Sequence, residues 1–217
     1  MPTSTLQEYV ETIYKLSESG PVKPTAIAAA LGVSGPTVTA TLRRLEAHDY
    51  ITRQGTEVVL TPVGTARALD IVRRHRVAET FLVDTLGLDW DVAHEDACLL
   101  EHALSPRVLE ALERFLNNPE VCPHGHPIPH ADGSVAAVTG EPLCDVAVNQ
   151  AVRVLRVAER NDEILGYIGS LGLRPGVLVT VTESAPFSGP LTLDVGGVKT
   201  ALARDVARLV TVEPVLQ

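Results

Sequence analysis

The residues with the most chemical capacity lie in His94-Glu-Asp-Ala-Cys98-Leu-Leu-Glu101-His102, where helical periodicity brings positions 94, 98, 101 and 102 onto one stripe. Imidazole, thiolate and carboxylate groups on a common helix face are donors for a divalent cation. Two further pairs have helical spacing, His75 with Glu79 at i and i+4 and Glu8 with Glu11 at i and i+3. Stacking the helices that carry them surrounds a cation with nitrogen and oxygen donors and one sulfur. Carboxylates crowded in this way repel one another and lose hydration, so the cluster is expected to be loose without a cation and tight with one. The competing reading is a solvated helix face with i,i+4 ion pairs, such as Arg74 or Arg76 against Glu79. For any single residue that reading is the better one. For the set, cation binding is favoured, because two His/Glu pairings and a cysteine recur between residues 75 and 102. The mixture of carboxylate and imidazole disfavours Cys-rich structural zinc and fits Mn2+ or Fe2+.

A second constellation, Cys122-Pro-His124-Gly-His126-Pro, lies in a stretch rich in Gly and Pro. Cys and His two residues apart can chelate one ion, or the loop holds them for turn geometry alone. Glu79 is expected to face outward from the first cluster, which leaves it free to serve a second ion here, with Glu159, Asp162 and Glu163 closing the site from the other side. His48 and His130 have no partner pattern and are expected at the surface, while Cys144 in an apolar run reads as a buried small hydrophobe.

A different chemistry is encoded in Ser34-Gly-Pro-Thr37-Val-Thr39-Ala-Thr-Leu-Arg43-Arg44. Small polar residues at a helix start leave backbone N–H groups and hydroxyls open to phosphate, and Thr37, Thr39 and Ala40 can face base edges or thymine methyls. Ser34 and Pro36 set the helix start, and Arg44 and Arg53 supply phosphate contacts. The alternative is a capped core helix whose polar face is merely wet.

The elements that must position these residues follow from periodicity. Leu6, Tyr9, Val10, Ile13, Tyr14 and Leu16 define a first amphipathic helix over 5–17, ended by Ser19-Gly20-Pro21. A short helix over 25–31 stops at Gly32, and a third begins after the cap Ser34 and runs to about His48. Two β-rich runs, 50–53 and 58–61, flank Gln54-Gly55 as a hairpin. Three helices and a hairpin make a winged helix-turn-helix. A longer helix runs from Pro62 and breaks near Gly87; others span about 91–103 and 106–115. Gly and Pro dominate 119–140, which reads as a surface loop and linker. Val/Leu/Thr-rich runs at 143–157, 176–184, 191–195 and 209–212 suggest a small β-barrel. The fold class is therefore mainly α with β: a winged helix-turn-helix over 1–64, a helical segment carrying the donor cluster with its linker over 65–140, and a small β-barrel over 141–217.

Bulk properties narrow the function classes. The three cysteines are too few and too unevenly placed for a secreted disulfide framework, and neither a leader pattern nor a membrane-length apolar run is present, so a cytoplasmic protein is expected. The formal charge of −9 argues against nucleic acid only superficially. Residues 1–60 hold five of the 18 Lys/Arg and six of the 27 Asp/Glu, leaving 13 against 21 for the rest, so the acid load lies mostly outside the DNA-reading module.

The motifs together resemble the diphtheria-toxin-repressor family of metal-dependent regulators, including its manganese-responsive branch. Carrying the resemblance are Glu8-Tyr-Val-Glu-Thr-Ile-Tyr14, Ser34-Gly-Pro-Thr-Val38, Leu60-Thr-Pro-Val-Gly64, Arg74-His-Arg-Val-Ala-Glu79, His94 to His102, Cys122-Pro-His-Gly-His-Pro-Ile-Pro129 and Leu171-Gly-Leu-Arg-Pro-Gly176. It implies that residues 65–140 form a helical dimerisation and metal-binding domain, that the C-terminal module over 141–217 is SH3-like (FeoA-like), and that a homodimer binds double-stranded operator DNA when metal-loaded. It also implies a primary ion held by Glu8, Glu11, His75, Cys98, Glu101 and His102, and a second held by Glu79, Cys122, His124 and Glu159. His94 matches an ancillary ligand of iron-type members and competes for a place in the second site. Glu8 stands where iron-type members carry Met and manganese-type members Asp, whereas Cys98 is the iron-type residue. A hard carboxylate favours Mn2+ first and Fe2+ second. Arg156 occupies a position that is a carboxylate ligand in some iron-type members. Two other classes compete: a hydrolytic metalloenzyme with Glu11 or Glu101 as general base, which lacks a His-Glu-x-x-His signature, and a DNA-binding thiol switch using Cys98 or Cys122.

Overall fold

The computed structural model describes residues 4–18, 20–159 and 162–215, with the side chains of Asp91 and Asp162 outside that set. The chain divides into two compact units, Met1–His75 with Leu100–Leu104 and Pro129–Val135, and Arg76–Leu99 with Ser105–Ile128 and Ala136–Gln217.

In the first unit, α1 (Ser4–Ser17) buries Leu6, Tyr9, Val10 and Ile13, the stripe that the periodicity predicts. Ser19, part of the expected helix stop, lies outside the described residues. Helix α2 (Pro24–Leu31) takes Pro in its first turn, where the missing N–H costs nothing, and ends at Gly32 with φ 62°. Helix α3 (Gly35–Ala47) is capped by Ser34, whose hydroxyl accepts from the Thr37 N–H at 3.4 Å. The chain bends by 111° between α2 and α3, the angle of a helix-turn-helix. Strands β1 (Ile51–Gln54) and β2 (Glu57–Leu60) then pair antiparallel as the wing, with Arg53 opposite Val58. Helix α4 (Pro62–Thr80) follows, and the Thr61 hydroxyl accepts from the Gly64 N–H at 3.0 Å. Gly64 is required by close approach: a Cβ there would stand 1.9 Å from the Tyr50 carbonyl oxygen.

In the second unit, α4 gives way to a π-helical turn, Phe81–Thr85, before Gly87 at φ 71° ends the run, so the single helix expected up to Gly87 changes its hydrogen-bond register at Phe81. Helices α5 (Trp90–Ala103) and α6 (Pro106–Phe115) follow, the latter capped by Ser105. Residues 116–140 form a loop whose one bridge among the described residues joins Val121 and Pro127. Strands β3 (Glu141–Pro142), β4 (Ala151–Val157), β5 (Leu178–Ser184), β6 (Leu191–Val195), β7 (Val198–Leu202) and β8 (Val210–Pro214) form an antiparallel six-stranded sheet of order β3-β8-β4-β5-β6-β7 in the C-terminal part. Extra residues at Leu155 and Thr182 break the register and curl the sheet around its core.

Three details depart from the expected pattern. The run 143–157 is not one strand: Leu143–Asp145 is a 3-10 turn, and Asn149 at φ 66° turns the chain before β4 begins. Cys144 is buried there, as expected, but in the turn. Val198–Leu202 pairs fully with β6 although its Lys199 and Thr200 hide the strand pattern. Asp162–Ser170 forms a helix, α7, whose buried Leu165 and Ile168 have helical spacing. The last helix, α8, spans Arg204–Ala207.

Adding one methyl at Gly64 must push the Tyr50 carbonyl away from the start of α4. Gly64→Ala is expected to lower stability by about 1–3 kcal/mol, read from the urea midpoint.

Candidate functional site

Among the described residues, each unit holds one cluster of donors drawn wholly from its own segments. In the first, Glu11 of α1, His75 of α4 and Glu101 of α5 present donor atoms that all lie within 4.8 Å of one another, and all three side chains are buried. His75 Nδ1 lies 2.7 Å from Glu101 Oε2, and Glu101 Oε1 lies 3.2 Å from His102 Nε2. His102 Nδ1 in turn meets Gln7 Oε1 at 2.8 Å, which fixes the ring. Lys15 Nζ pairs with Glu11 Oε1 at 2.9 Å. Burial pushes the Glu101 carboxyl up to about 7, against the lowering hydrogen bond from His75. Burial also raises Glu11, but the Lys15 ammonium and His75 outweigh it and hold Glu11 below its ordinary value.

In the second cluster, Glu79 of α4, Cys122 and His124 of the loop, and Glu159 beyond β4 bring their donor atoms within 4.8 Å of one another. His124 Nδ1 lies 3.1 Å from Glu79 Oε2 and 3.6 Å from Glu159 Oε1, and Cys122 Sγ lies 3.8 Å from Glu159 Oε1. His94 Nδ1 meets the other Glu79 oxygen at 3.0 Å. Neither nitrogen of His124 is aligned for a hydrogen bond, although both are buried. Two carboxylates, a thiol and an imidazole whose two nitrogens lack an aligned partner converge on a common point, so the residues fit a metal ion. The electrostatics agree. Burial lowers the His124 pKa, but close contacts with Cys122, Glu159 and Glu79 outweigh it and push it up to about 12. Burial first, and the Glu79 charge second, push the Cys122 thiol up to about 11.

Local backbone chemistry explains how the loop presents its donors. The Gly125 N–H donates to the Cys122 carbonyl at 2.8 Å, closing a turn with Pro123 second and Gly125 fourth, and the Cys122 N–H donates to the His126 carbonyl at 2.9 Å. Gly125 has φ 83° and packs so closely on β4 that a Cβ would stand 2.0 Å from the Leu155 carbonyl oxygen. Trp90, at the start of α5, sets its ring edge-on to His124 with centroids 4.5 Å apart, and the Arg174 guanidinium lies 4.6 Å from the Trp90 ring centroid.

Other site residues stand differently. Glu8 is exposed on α1 and Cys98 is exposed on α5. Glu163 is exposed and outside the second cluster, while the Asp162 side chain is outside the described residues. Arg156 Nε donates to Thr211 Oγ1 at 3.3 Å, as a structural cation of the sheet. His48, stacked on Tyr50 at 5.8 Å, and His130 are exposed, as expected. Sequence reasoning gave no role to Trp90 or His126, because neither has a partner at helical spacing.

The candidate nucleic-acid face is α3 with its wing. Ser34, Pro36, Thr37, Thr39, Ala40, Arg44 and Arg53 are all exposed. The Ser34 hydroxyl is engaged with Thr37 Oγ1 at 2.8 Å, and Thr39 Oγ1 donates to the Gly35 carbonyl at 3.0 Å, so both threonine hydroxyls are held by contacts within the helix start. Arg53 Nε pairs with Glu46 at 2.6 Å, tying the wing to α3.

Comparison with known proteins covers nearly the whole chain. Residues 1–59 match the family model of the iron-dependent repressor N-terminal DNA-binding domain, residues 61–130 that of its metal-binding and dimerisation domain, and residues 141–214 that of the FeoA domain. The iron-dependent repressor IdeR of Mycobacterium tuberculosis is 36% identical over 228 residues, covering 97% of this chain and 97% of its own. The diphtheria toxin repressor of Corynebacterium diphtheriae is 32% identical over 222 residues, covering 96% of each. Among solved structures, a manganese-dependent transcriptional repressor in complex with manganese superposes with TM-score 0.89 at 31% identity, over 97% of this chain and 100% of that one. The structure of ScaR with bound Cd2+ superposes with TM-score 0.83 at 30% identity, over 99% and 100%.

Glu101 titrates higher in the fold than in the unfolded chain. In metal-free protein its contribution to stability is therefore intact below the unfolded value near 4.5 and is lost as pH rises through about 7. Urea unfolding of chelator-treated wild type and Glu101→Gln should show a stability gap that widens in favour of the variant from pH 4.5 to 7 and then stays level. A pH-independent gap would contradict a raised Glu101.

Proposed function

Given that the chain belongs to the iron-dependent repressor family, in which metal-dependent transcriptional repressors carry an N-terminal DNA-binding domain, we propose that it represses metal-homeostasis genes by binding operator DNA as a cytoplasmic homodimer when metal-loaded. The observation that carries this reading is the convergence of Glu11, His75 and Glu101 from three helices on one buried point. A bound divalent cation there neutralises the carboxylates and links α1, which belongs to the DNA-binding module, to α4 and α5.

We assign Glu8, Glu11, His75, Cys98, Glu101 and His102 to the first ion and Glu79, Cys122, His124 and Glu159 to the second, with His94 beside Glu79 competing for it. The buried donors of the first cluster are hard nitrogen and oxygen atoms, which supports Mn2+ as first choice and Fe2+ as second, two ions per subunit. The chain's own part is to hold those donors in place and to aim α3, with Thr37, Thr39 and Ala40 towards bases and Arg44 and Arg53 towards phosphates. The domain limits we adopt are 1–64, 65–140 and 141–217. Dimerisation is supported by exposed apolar side chains, Val92 and Leu99 on α5 and Val108 and Phe115 on α6. Among the described residues, no single helix is long and apolar enough to cross a membrane.

The relatives are repressors, which removes the hydrolytic reading. A thiol switch at Cys122 is disfavoured because its thiol is held protonated, and the thiolate is the reactive form.

Operator binding followed by gel shift should be tight with Mn2+ and weak with chelator. Glu101→Ala with His102→Ala should abolish that metal response, and equal binding with and without metal would refute the coupling. Trp90 is the one tryptophan and sits against His124, so its emission reports the second cluster. Mn2+ should quench it in wild type, and Glu79→Gln or Cys122→Ser should shift that quenching to higher metal concentration.

A further inference from the structure

We propose that His126 is a positioning residue of the second metal centre, clamping the loop that carries Cys122 and His124 to the strand end that carries Glu159; this rests on the two-ion reading above. His126 is 7% exposed, and its Nε2 lies 2.9 Å from the Val157 carbonyl oxygen. A carbonyl only accepts, so Nε2 carries the proton and donates. That assignment leaves Nε2 without a lone pair for metal, and its 3.7 Å separation from Glu159 Oε1 is too long for a hydrogen bond. The other ring nitrogen, Nδ1, is buried without a hydrogen-bond partner, but His126 is not among the donors that converge with Glu79, Cys122, His124 and Glu159, so its influence on that centre runs through the backbone.

Val157 is gripped from both sides by the same loop. Its N–H donates to the His124 carbonyl at 2.9 Å, while its carbonyl receives His126. The next residue, Ala158, donates its N–H to the Leu209 carbonyl at 2.8 Å, so the chain reaches Glu159 with both preceding residues tied. Gly125, lying against the Leu155 carbonyl, lets the loop come close enough for both hydrogen bonds to Val157 to form. The centre needs such a clamp because its donors come from segments far apart in sequence. Glu79 is set by α4, but Cys122 and His124 ride on a loop without regular structure and Glu159 follows the last residues of a strand. Donation from His126 converts loop and strand end into one rigid edge. Partners outside the coordination sphere that hold ligands in this way typically change metal affinity by about 10- to 100-fold.

The test uses the full chain, titrated with Mn2+ by calorimetry and checked by elemental analysis after dialysis. His126→Phe keeps the ring shape but removes the donor; His126→Gln restores an N–H donor at similar reach. The clamp predicts that His126→Phe weakens the second ion by about 10- to 100-fold, leaves the first within about twofold, and that His126→Gln recovers most of the loss. Unchanged second-ion affinity in His126→Phe overturns the proposal. So does equal loss in Phe and Gln variants, which would make the ring and not the donor matter, or equal loss at both ions, which would mark a general folding role. Wild-type protein that takes up only one Mn2+ overturns the two-ion reading, and the clamp with it, before any variant is made.

Discussion

Burying carboxylates is the constraint around which this chain is arranged. Glu11, Glu79 and Glu101 are all withdrawn from water, as is the side chain of Glu159, and each such group costs several kcal/mol unless a positive charge or several donors compensate. The two clusters respond differently. At Glu101 the balance tips towards the protonated acid, with Lys15 and His75 stabilising Glu11. Around Glu79 and Glu159 the balance is met by His124, which is forced towards its cationic form. In both places a divalent cation would relieve the strain better than a proton, because one ion can face several oxygen and nitrogen atoms at once. A cation bound in either cluster would thereby add its binding energy to the folding of that unit.

Backbone geometry decides which donors can meet. Pro123 and Gly125 shape a turn that points Cys122 and His124 inward, and Gly125 alone among residue types tolerates both its positive φ and the neighbouring carbonyl. The π-helical turn after Thr80 and the cap at Ser105 set where α5 and α6 begin. At the other end of the chain, Ser34 and the Thr39 back-bond order the start of α3, so its exposed polar face is set by contacts within the helix.

Much of this was legible in the residues. Helices α1 to α3, the wing, α5 and α6 were readable because each is specified by local signals: apolar spacing, caps at Ser34 and Ser105, and stops at Gly32 and Gly87. The donor types were legible too, since His75, Glu79 and the stripe from His94 to His102 carry helical spacing that any helix must convert into proximity. Less legible were α7 and β7. In the first a helical pattern is enclosed between strands, and in the second polar residues interrupt the alternation while pairing with β6 supplies the structure.

Sequence alone thus determined the family, the three kinds of module and which residues could be ligands, because these depend on residue type and on periodicities a few positions long. Only the tertiary structure decided that Glu11, His75 and Glu101 share one buried point while Glu8 and Cys98 remain exposed on their helices. It alone brought Glu159 to Cys122 and His124, and it alone gave His126 and Trp90 partners. The reason is physical: distances between elements far apart in sequence are set by packing and by single backbone contacts, such as Gly125 on Leu155 and Val157 on the loop, which leave no periodic trace in the residues themselves.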